Sequence, residues 1–486
     1  MHVPDPTAEH ARRCLDAARA ATRGAGYGVY LGHGPDGWSF APPGHAVLVL
    51  GPPRSGKTSA LVVPNVLAAA GAVLSTSTKR DVLDATASAR AAVGTCRLFD
   101  PAGAFRHHRL PAGVQAVRWS PVPVCSDWDT AQLTARRAVA TGPAAAGGAP
   151  ARVDGGDHWT ERAGTLLAPL LHAAALDGAS MTDVVRWVDR RDPATAAAVL
   201  ARTPGTDARL AGDALDGVVS GDQREVSGIW STASGSLAGY RTSAALDAAR
   251  DPDFDAEAFV ASGDTLYLCA PADRQALVAP MVVGLVDAVR AAAFRRGARG
   301  GGGPPVVLLL DEVANIAPLP DLPALVSEGG GQGVTVVACF QDLSQARHRW
   351  GARADGFPSL FGTTVVLPGI GDVTTLRALS QLAGDVESVR SSTSVGRVPS
   401  GHRWADAVTG GVTRTTVTRA TVTVPRLPVD TLAHGRPGHA VAFDHRNVPG
   451  WVHLAPAHSH GPWRDIVDAG RGRAPGAPDR RYDLGR

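Results

Sequence analysis

Gly51-Pro52-Pro53-Arg54-Ser55-Gly56-Lys57-Thr58 sets two glycines either side of four residues, followed by a lysine and a hydroxyl residue. This spacing suits a loop whose backbone N–H groups wrap phosphates at the start of a helix. Lys57 reaches the β and γ phosphates in such a loop, Thr58 holds Mg²⁺, and Ser59 completes the cradle. With lysine as rare as it is here, the pattern has on the order of a few chances in a thousand of arising by composition.

A second group lies far along the chain. Val306 to Leu310 is an apolar run ending in Asp311-Glu312. A buried strand ending in two carboxylates places both at the carboxyl edge of a sheet, where open α/β folds bind ligands. Asp311 is the expected Mg²⁺ partner, and Glu312 the anionic base that polarises an attacking water. Gln341, after the apolar run Val334 to Phe340, is a neutral amide placed to sense a γ-phosphate or orient water. A plain polar strand terminus is the alternative reading of Gln341.

Rare residue types point to the same places. Lysine occurs only at Lys57 and Lys79, and asparagine only at Asn65, Asn315 and Asn447. Arginine carries almost all the positive charge, so a surviving lysine or asparagine suggests a chemical requirement.

These residues need elements to hold them. AVLVL (Ala46 to Leu50), AVLS (Ala72 to Ser75) and CRLF (Cys96 to Phe99) read as strands separated by helical stretches, the rhythm of a parallel α/β sheet. Trp159 to about Leu246 is helical in pattern without a convincing strand. Strands return at TLYLCA (Thr265 to Ala270), VVLLL, VTVVACF and TTVVL (Thr363 to Leu367), and HAVAF (His439 to Phe443) could close the sheet. Ser388 to Val424, ending in alternating TRTTVTRATVTV, reads as a hairpin. The expected organisation is an N-terminal helical extension over 1–45 and a nucleotide-binding domain over 46–140. A linker over 141–158 and an all-α insertion over 159–250 follow. The second part of the nucleotide-binding domain spans 251–458, and a disordered tail 459–486.

Length and composition set limits. The chain has 486 residues, 44% hydrophobic and 19% charged, with 48 Lys and Arg against 45 Asp and Glu. That is globular composition, and a net charge of +3 is too even to identify a nucleic-acid partner. Five scattered cysteines without a C-x-x-C spacing argue against a disulfide framework or zinc site and fit a reducing compartment. The longest apolar stretch, Leu277 to Val286, contains Pro280 and Gly284 and is short of the ~20 residues a bilayer requires. The N-terminal segment lacks the apolar core of a secretory signal.

GPPRSGKTSALVVPNVL, STKRDVL, LLLDEVANI, GVTVVACFQDLSQARHRWG and TVVLPGIGD, in this order, resemble the motifs of the type IV coupling proteins. These are the TraG/TraD-like hexameric ATPases of conjugation and type IV secretion. HWTERAGTLLAPLLHAA and IWSTASGSL resemble segments of that family's all-α domain, and the likeness runs from about Val47 to His445. It implies a RecA-like P-loop NTPase with a mostly parallel central sheet and an inserted all-α domain, using ATP and Mg²⁺. By position, Lys57 and Thr58 take the nucleotide role, Asp311 and Glu312 the Mg²⁺ and hydrolytic roles, and Gln341 the sensor role.

The implied activity is ATP-dependent transfer of DNA, single- or double-stranded, with its relaxase, towards a type IV secretion channel by a homo-hexamer. A protein cargo, or a nucleotide-binding adaptor that recruits a relaxase with little turnover, are the alternatives. The family's N-terminal membrane helices have no counterpart here, so a cytoplasmic location is expected, with membrane contact only through a partner. The loop Ser327 to Gly333 lacks the arginine such rings present in trans; either another residue supplies it, with Arg224, Arg241 and Arg347 as candidates, or hydrolysis is slow without a partner. Arg390, Arg397, Arg403, Arg414, Arg419 and Arg426 could meet DNA phosphates, or form an ordinary solvated hairpin face. Trp159, Trp187 and Trp230 have the spacing of core residues more than of base-stacking ones.

Overall fold

Val47–Leu50, the strand that feeds the phosphate loop, is buried at every position. Val47 and Val49 face one apolar layer while Leu48 and Leu50 face another. A strand covered on both faces has no polar side to alternate with, hence its unbroken apolar run.

The computed structural model describes residues 6–142, 156–398 and 412–472. Its strands before the helical insertion are β1 (Tyr30–Gly34), β2 (Gly37–Phe40), β3 (Val47–Leu50), β4 (Val73–Ser77), β5 (Cys96–Phe99) and β6 (Val114–Ala116). After it come β7 (Thr265–Cys269), β8 (Val306–Leu310), β9 (Val334–Phe340) and β10 (Thr363–Val366). The last four are β11 (Asp385–Val398), β12 (Val412–Pro425), β13 (His439–Phe443) and β14 (Pro449–His453). Twelve form one sheet in the order β2-β1-β14-β13-β10-β3-β9-β8-β4-β7-β5-β6. From β10 to β6 every pairing is parallel, and β13, β14, β1 and β2 add an antiparallel margin.

On one face lie α1 (Pro6–Gly24), α2 (Val63–Ala68) and α3 (Asp81–Arg90), whose buried residues join Val47 and Val49 in one core. On the other face the core runs without a break from Leu48 and Leu50 through helix Gln275–Ala298 into the helical insertion, including α4 (Trp128–Thr141) and α5 (Gly156–Asp177). Trp187 and Trp230 are buried in this second core, and Trp159 is half-buried against Gly228, so all three pack within the helical layer.

Three expectations change. The segment 1–45 is more than a helical extension: after α1 it forms the β1–β2 hairpin, which pairs with β14 and belongs to the sheet. The span 459–486 is not a disordered tail throughout. Trp463–Gly470 is a helix with Trp463 fully buried against Tyr30 and Trp38, an apolar contact large enough to order a short helix. The apolar stretch at Leu277 extends into the 24-residue helix Gln275–Ala298, long and apolar enough by composition to cross a membrane. Two-thirds of its most apolar window is buried between the sheet and the helical layer, as in a core helix. Most of the linker 141–158 lies outside the described residues.

The hairpin is present as β11 and β12, two 14-residue strands paired only with each other. Cross-strand partners share a face, so register sets Arg390 opposite Ala420 on one face and Arg419 opposite Ser391 on the other. Val389, Val395 and Val417 are exposed on the Arg419 face. Arg403 lies outside the described residues.

Candidate functional site

The phosphate loop leaves β3 under two backbone constraints. A Cβ on Gly51 would come 2.8 Å from Ser55 Oγ and 2.9 Å from Leu367 Cβ, so no side chain fits there. Gly56 has φ +98°, a conformation that disfavours every residue with a Cβ. Arg54 also takes a positive φ, 65°. Residues Thr58–Val62 then coil as a π-helical turn that runs into α2.

Lys57 is buried, its ammonium donating to the carbonyls of Gly51 and Pro52, the latter at 3.0 Å. Ser55 Oγ is buried among protein atoms without a hydrogen-bond partner. A buried ammonium and an orphaned hydroxyl on one glycine-rich turn have the donor chemistry a polyphosphate needs. Asn65 turns out to be structural. Its Oδ1 accepts from the Tyr30 N–H at 2.8 Å and its Nδ2 donates to the carbonyls of Tyr30 and Leu61, tying β1 to α2.

Asp311 and Glu312 follow β8, separated from β3 by β9. The fold brings them to the loop: Thr58 Oγ1 donates to Asp311 Oδ2 at 2.8 Å. Thr76 Oγ1, from β4, donates to the Asp311 carbonyl at 2.9 Å and fixes the backbone there. Burial, joined by the neighbouring Glu312 and opposed by the Thr58 hydroxyl and Lys57, pushes the Asp311 carboxyl up to about 6. A hydroxyl and a carboxylate oxygen side by side are hard-cation ligands, and they fit Mg²⁺. Glu312 adopts a left-handed backbone, φ 54°, and its Oε2 accepts from Asn315 Nδ2 at 3.4 Å. The second rare asparagine therefore positions the candidate base.

These groups share a cleft of about 600 Å³, lined by Pro53 to Ser59, by Asp311 and Glu312, and by Ser77, Thr78, Lys79 and Asp81 at and after the end of β4. Both lysines of the chain thus reach one cavity. Gly51 and Pro52 stay outside its lining, as backbone that carries Lys57. Gln341 lies level with Gly51, whose N–H donates to the Phe340 carbonyl at 3.1 Å, and its own N–H donates to Gln345 Oε1. Gln341 is not among the residues that line the cleft.

Sequence reasoning missed a further wall. Val467 and Arg471, from the segment expected to be a tail, and Ala457 and His458, just before it, line the same cleft. They follow no motif, so nothing local could have identified them. Of the proposed trans arginines, Arg241 is paired with Asp189, and Arg347 with Asp355 and Asp372. Arg224 is exposed near the start of helix Gln223–Ser236.

Residues 9–402 match the family described as Type IV secretory system Conjugative DNA transfer. No curated protein matches the sequence. Among solved structures, the chain resembles the unbound monoclinic form of the bacterial conjugative coupling protein TrwBdeltaN70. The identity is 17%, covering 91% of this chain and 92% of that one, with a TM-score of 0.61. The plasmid coupling protein TrwB in complex with ADP and Mg²⁺ is 18% identical over 85% of each chain, with a TM-score of 0.58. The same protein with a non-hydrolysable GTP analogue is 18% identical over 86% of this chain and 87% of that one, also with a TM-score of 0.58. At these identities the likeness establishes the fold.

Proposed function

We propose, from the premise that this chain belongs to the type IV secretory system conjugative DNA transfer family, that it is an ATP-driven coupling protein moving DNA towards a secretion channel. The observation that carries the nucleotide site is the 2.8 Å contact between Thr58 and Asp311, which unites the phosphate loop with the carboxylate doublet at one sheet edge.

Each residue has a role that follows from its position. The loop amides and Lys57 bind the β and γ phosphates; Thr58 and Asp311 hold Mg²⁺, which neutralises phosphate charge when bound. Glu312, oriented by Asn315, accepts the proton of the attacking water. Gln341, level with Gly51, senses the γ-phosphate. A homo-hexameric assembly, a relaxase and secretion-channel components as partners, and the nucleotide-binding domain divided around the 159–250 insertion complete the reading. TrwB, of the same fold, is described in complex with ADP and Mg²⁺ and with a non-hydrolysable ATP analogue, which supports the choice of cofactors.

The test is ATP turnover by the purified full chain with and without single- and double-stranded DNA, beside Lys57→Ala. Turnover stimulated by DNA and lost in Lys57→Ala supports the proposal. Turnover indifferent to DNA turns it towards a protein cargo, and nucleotide binding without turnover towards a recruiting adaptor.

A further inference from the structure

The phosphate loop and carboxylates account for the charged end of a nucleotide and leave its nucleoside end without an assigned site. A cleft of about 600 Å³ has room for both. Outside the phosphate loop, its apolar lining residues are Val63 of α2, Ala85 of α3, and Ala457 and Val467 of the C-terminal segment. Val63, Ala457 and Val467 are buried, so they form a fixed wall. His458 and Arg471 add a polar edge to the same side.

Three contacts hold that wall in place. The Ala457 N–H donates to the Ser59 carbonyl at 2.8 Å, fastening the segment directly to the turn after the phosphate loop. Trp463, fully buried, stacks on Trp38 with ring centroids 5.2 Å apart. His10 Nε2 lies 3.3 Å from Asp465 Oδ2, linking α1 to the C-terminal helix. The first and last elements among the described residues thereby brace one side of the cleft.

We infer that the C-terminal segment Ala457–Arg471 is the nucleoside-binding wall, its apolar residues packing the base while His458 and Arg471 supply polar contacts to base or ribose. A flat aromatic ring with polar edges is best held by an apolar surface with a few hydrogen-bonding groups at its rim. This inference rests on the reading of the cleft as an ATP site and adds the part of the ligand that the phosphate loop does not reach.

The experiment compares ATP with tripolyphosphate, which has the charged end and no nucleoside, in binding titrations on the full chain with Mg²⁺. Lys57→Ala weakens both ligands. Arg471→Ala and His458→Ala, each bordering the cleft and half-exposed, weaken ATP by about tenfold together, as expected for lost hydrogen bonds, and leave tripolyphosphate unchanged. Equal loss of both ligands would place the wall at the phosphates and overturn the inference, as would unchanged ATP affinity in the double variant. Absence of ATP and tripolyphosphate binding by the unaltered chain refutes the nucleotide site itself, a distinct outcome. Ala85→Leu, which adds bulk at a half-exposed cleft position on α3, the helix that packs against Trp463–Gly470, provides an independent arm: it too must weaken ATP selectively.

Discussion

Thr58 and Asp311, 253 residues apart in sequence, meet at 2.8 Å as hydroxyl donor and carboxylate acceptor. The contact joins the end of the phosphate loop to the end of β8, although β9 lies between their strands. Two oxygens at that separation can become neighbouring ligands of a small hard cation.

Replacing Thr58 by Ala should therefore reduce the contribution of Mg²⁺ to ATP affinity by about tenfold, the value of one good charged contact. Thr58→Ser should retain most of it. ATP titrations with Mg²⁺ and with a chelator measure the difference. An unaltered Mg²⁺ dependence in the alanine variant would remove Thr58 from the metal site.

Glu312→Gln keeps the shape of the side chain and removes its basicity. ATP binding should persist while turnover falls by about 10² or more. Asn315→Ala should produce a smaller loss in the same direction, because the 3.4 Å contact orients Glu312 without touching substrate. Single-turnover kinetics separate binding from chemistry, and full activity in Glu312→Gln would exclude it as the base.

Asn65→Leu leaves the Tyr30 N–H and C=O without their side-chain partner inside the core. The expected loss is about 2 to 4 kcal/mol, from two buried backbone groups deprived of hydrogen bonds. Chemical denaturation of the nucleotide-free chain measures it. A loss under about 0.5 kcal/mol, the scale of an ordinary surface substitution, would show that α2 does not depend on this tie.

Stability should fall in mild acid through the histidines where β1 meets β14. The His453 ring lies 5.1 Å from that of His439, 5.7 Å from His460 and 6.3 Å from His33, centroid to centroid. Burial, then the neighbouring histidines, holds His33 and His453 below their ordinary value of 6.5. The unfolded chain thus binds protons first: stability is intact above pH 6.5 and declines as pH drops through 6.5 towards the lowered values. Melting temperatures in that interval should show a shallower slope for His453→Gln, and identical slopes would reject this origin.

The hairpin arginines are open to a salt titration. Arg390 and Arg419 are exposed on opposite faces of β11–β12. If each meets a DNA phosphate, replacing it by Ala should lower the slope of log affinity against log salt by about 0.9. A slope unchanged in the double variant would make the hairpin a solvated projection.

Gly51–Thr58 and Asp311–Glu312 were legible in the sequence because each is a local event. A strand ends, the chain turns tightly, and the residues needed for chemistry lie within a few positions of the turn. The same locality exposed most strands of the sheet, whose apolar runs reflect cover on both faces. Rarity was a weaker guide. Lys79 does reach the cleft, and Asn315 positions Glu312, but Asn65 fastens a helix to a strand. What only tertiary structure decided was adjacency: β9 between β3 and β8, the β1–β2 hairpin on the far margin, and the C-terminal wall beside Ser59. Those placements depend on strand pairing and on buried contacts such as Trp463 with Trp38, between residues hundreds of positions apart. No short window of sequence encodes such a partner, because the free energy that selects it comes from surfaces brought together only when the whole sheet forms.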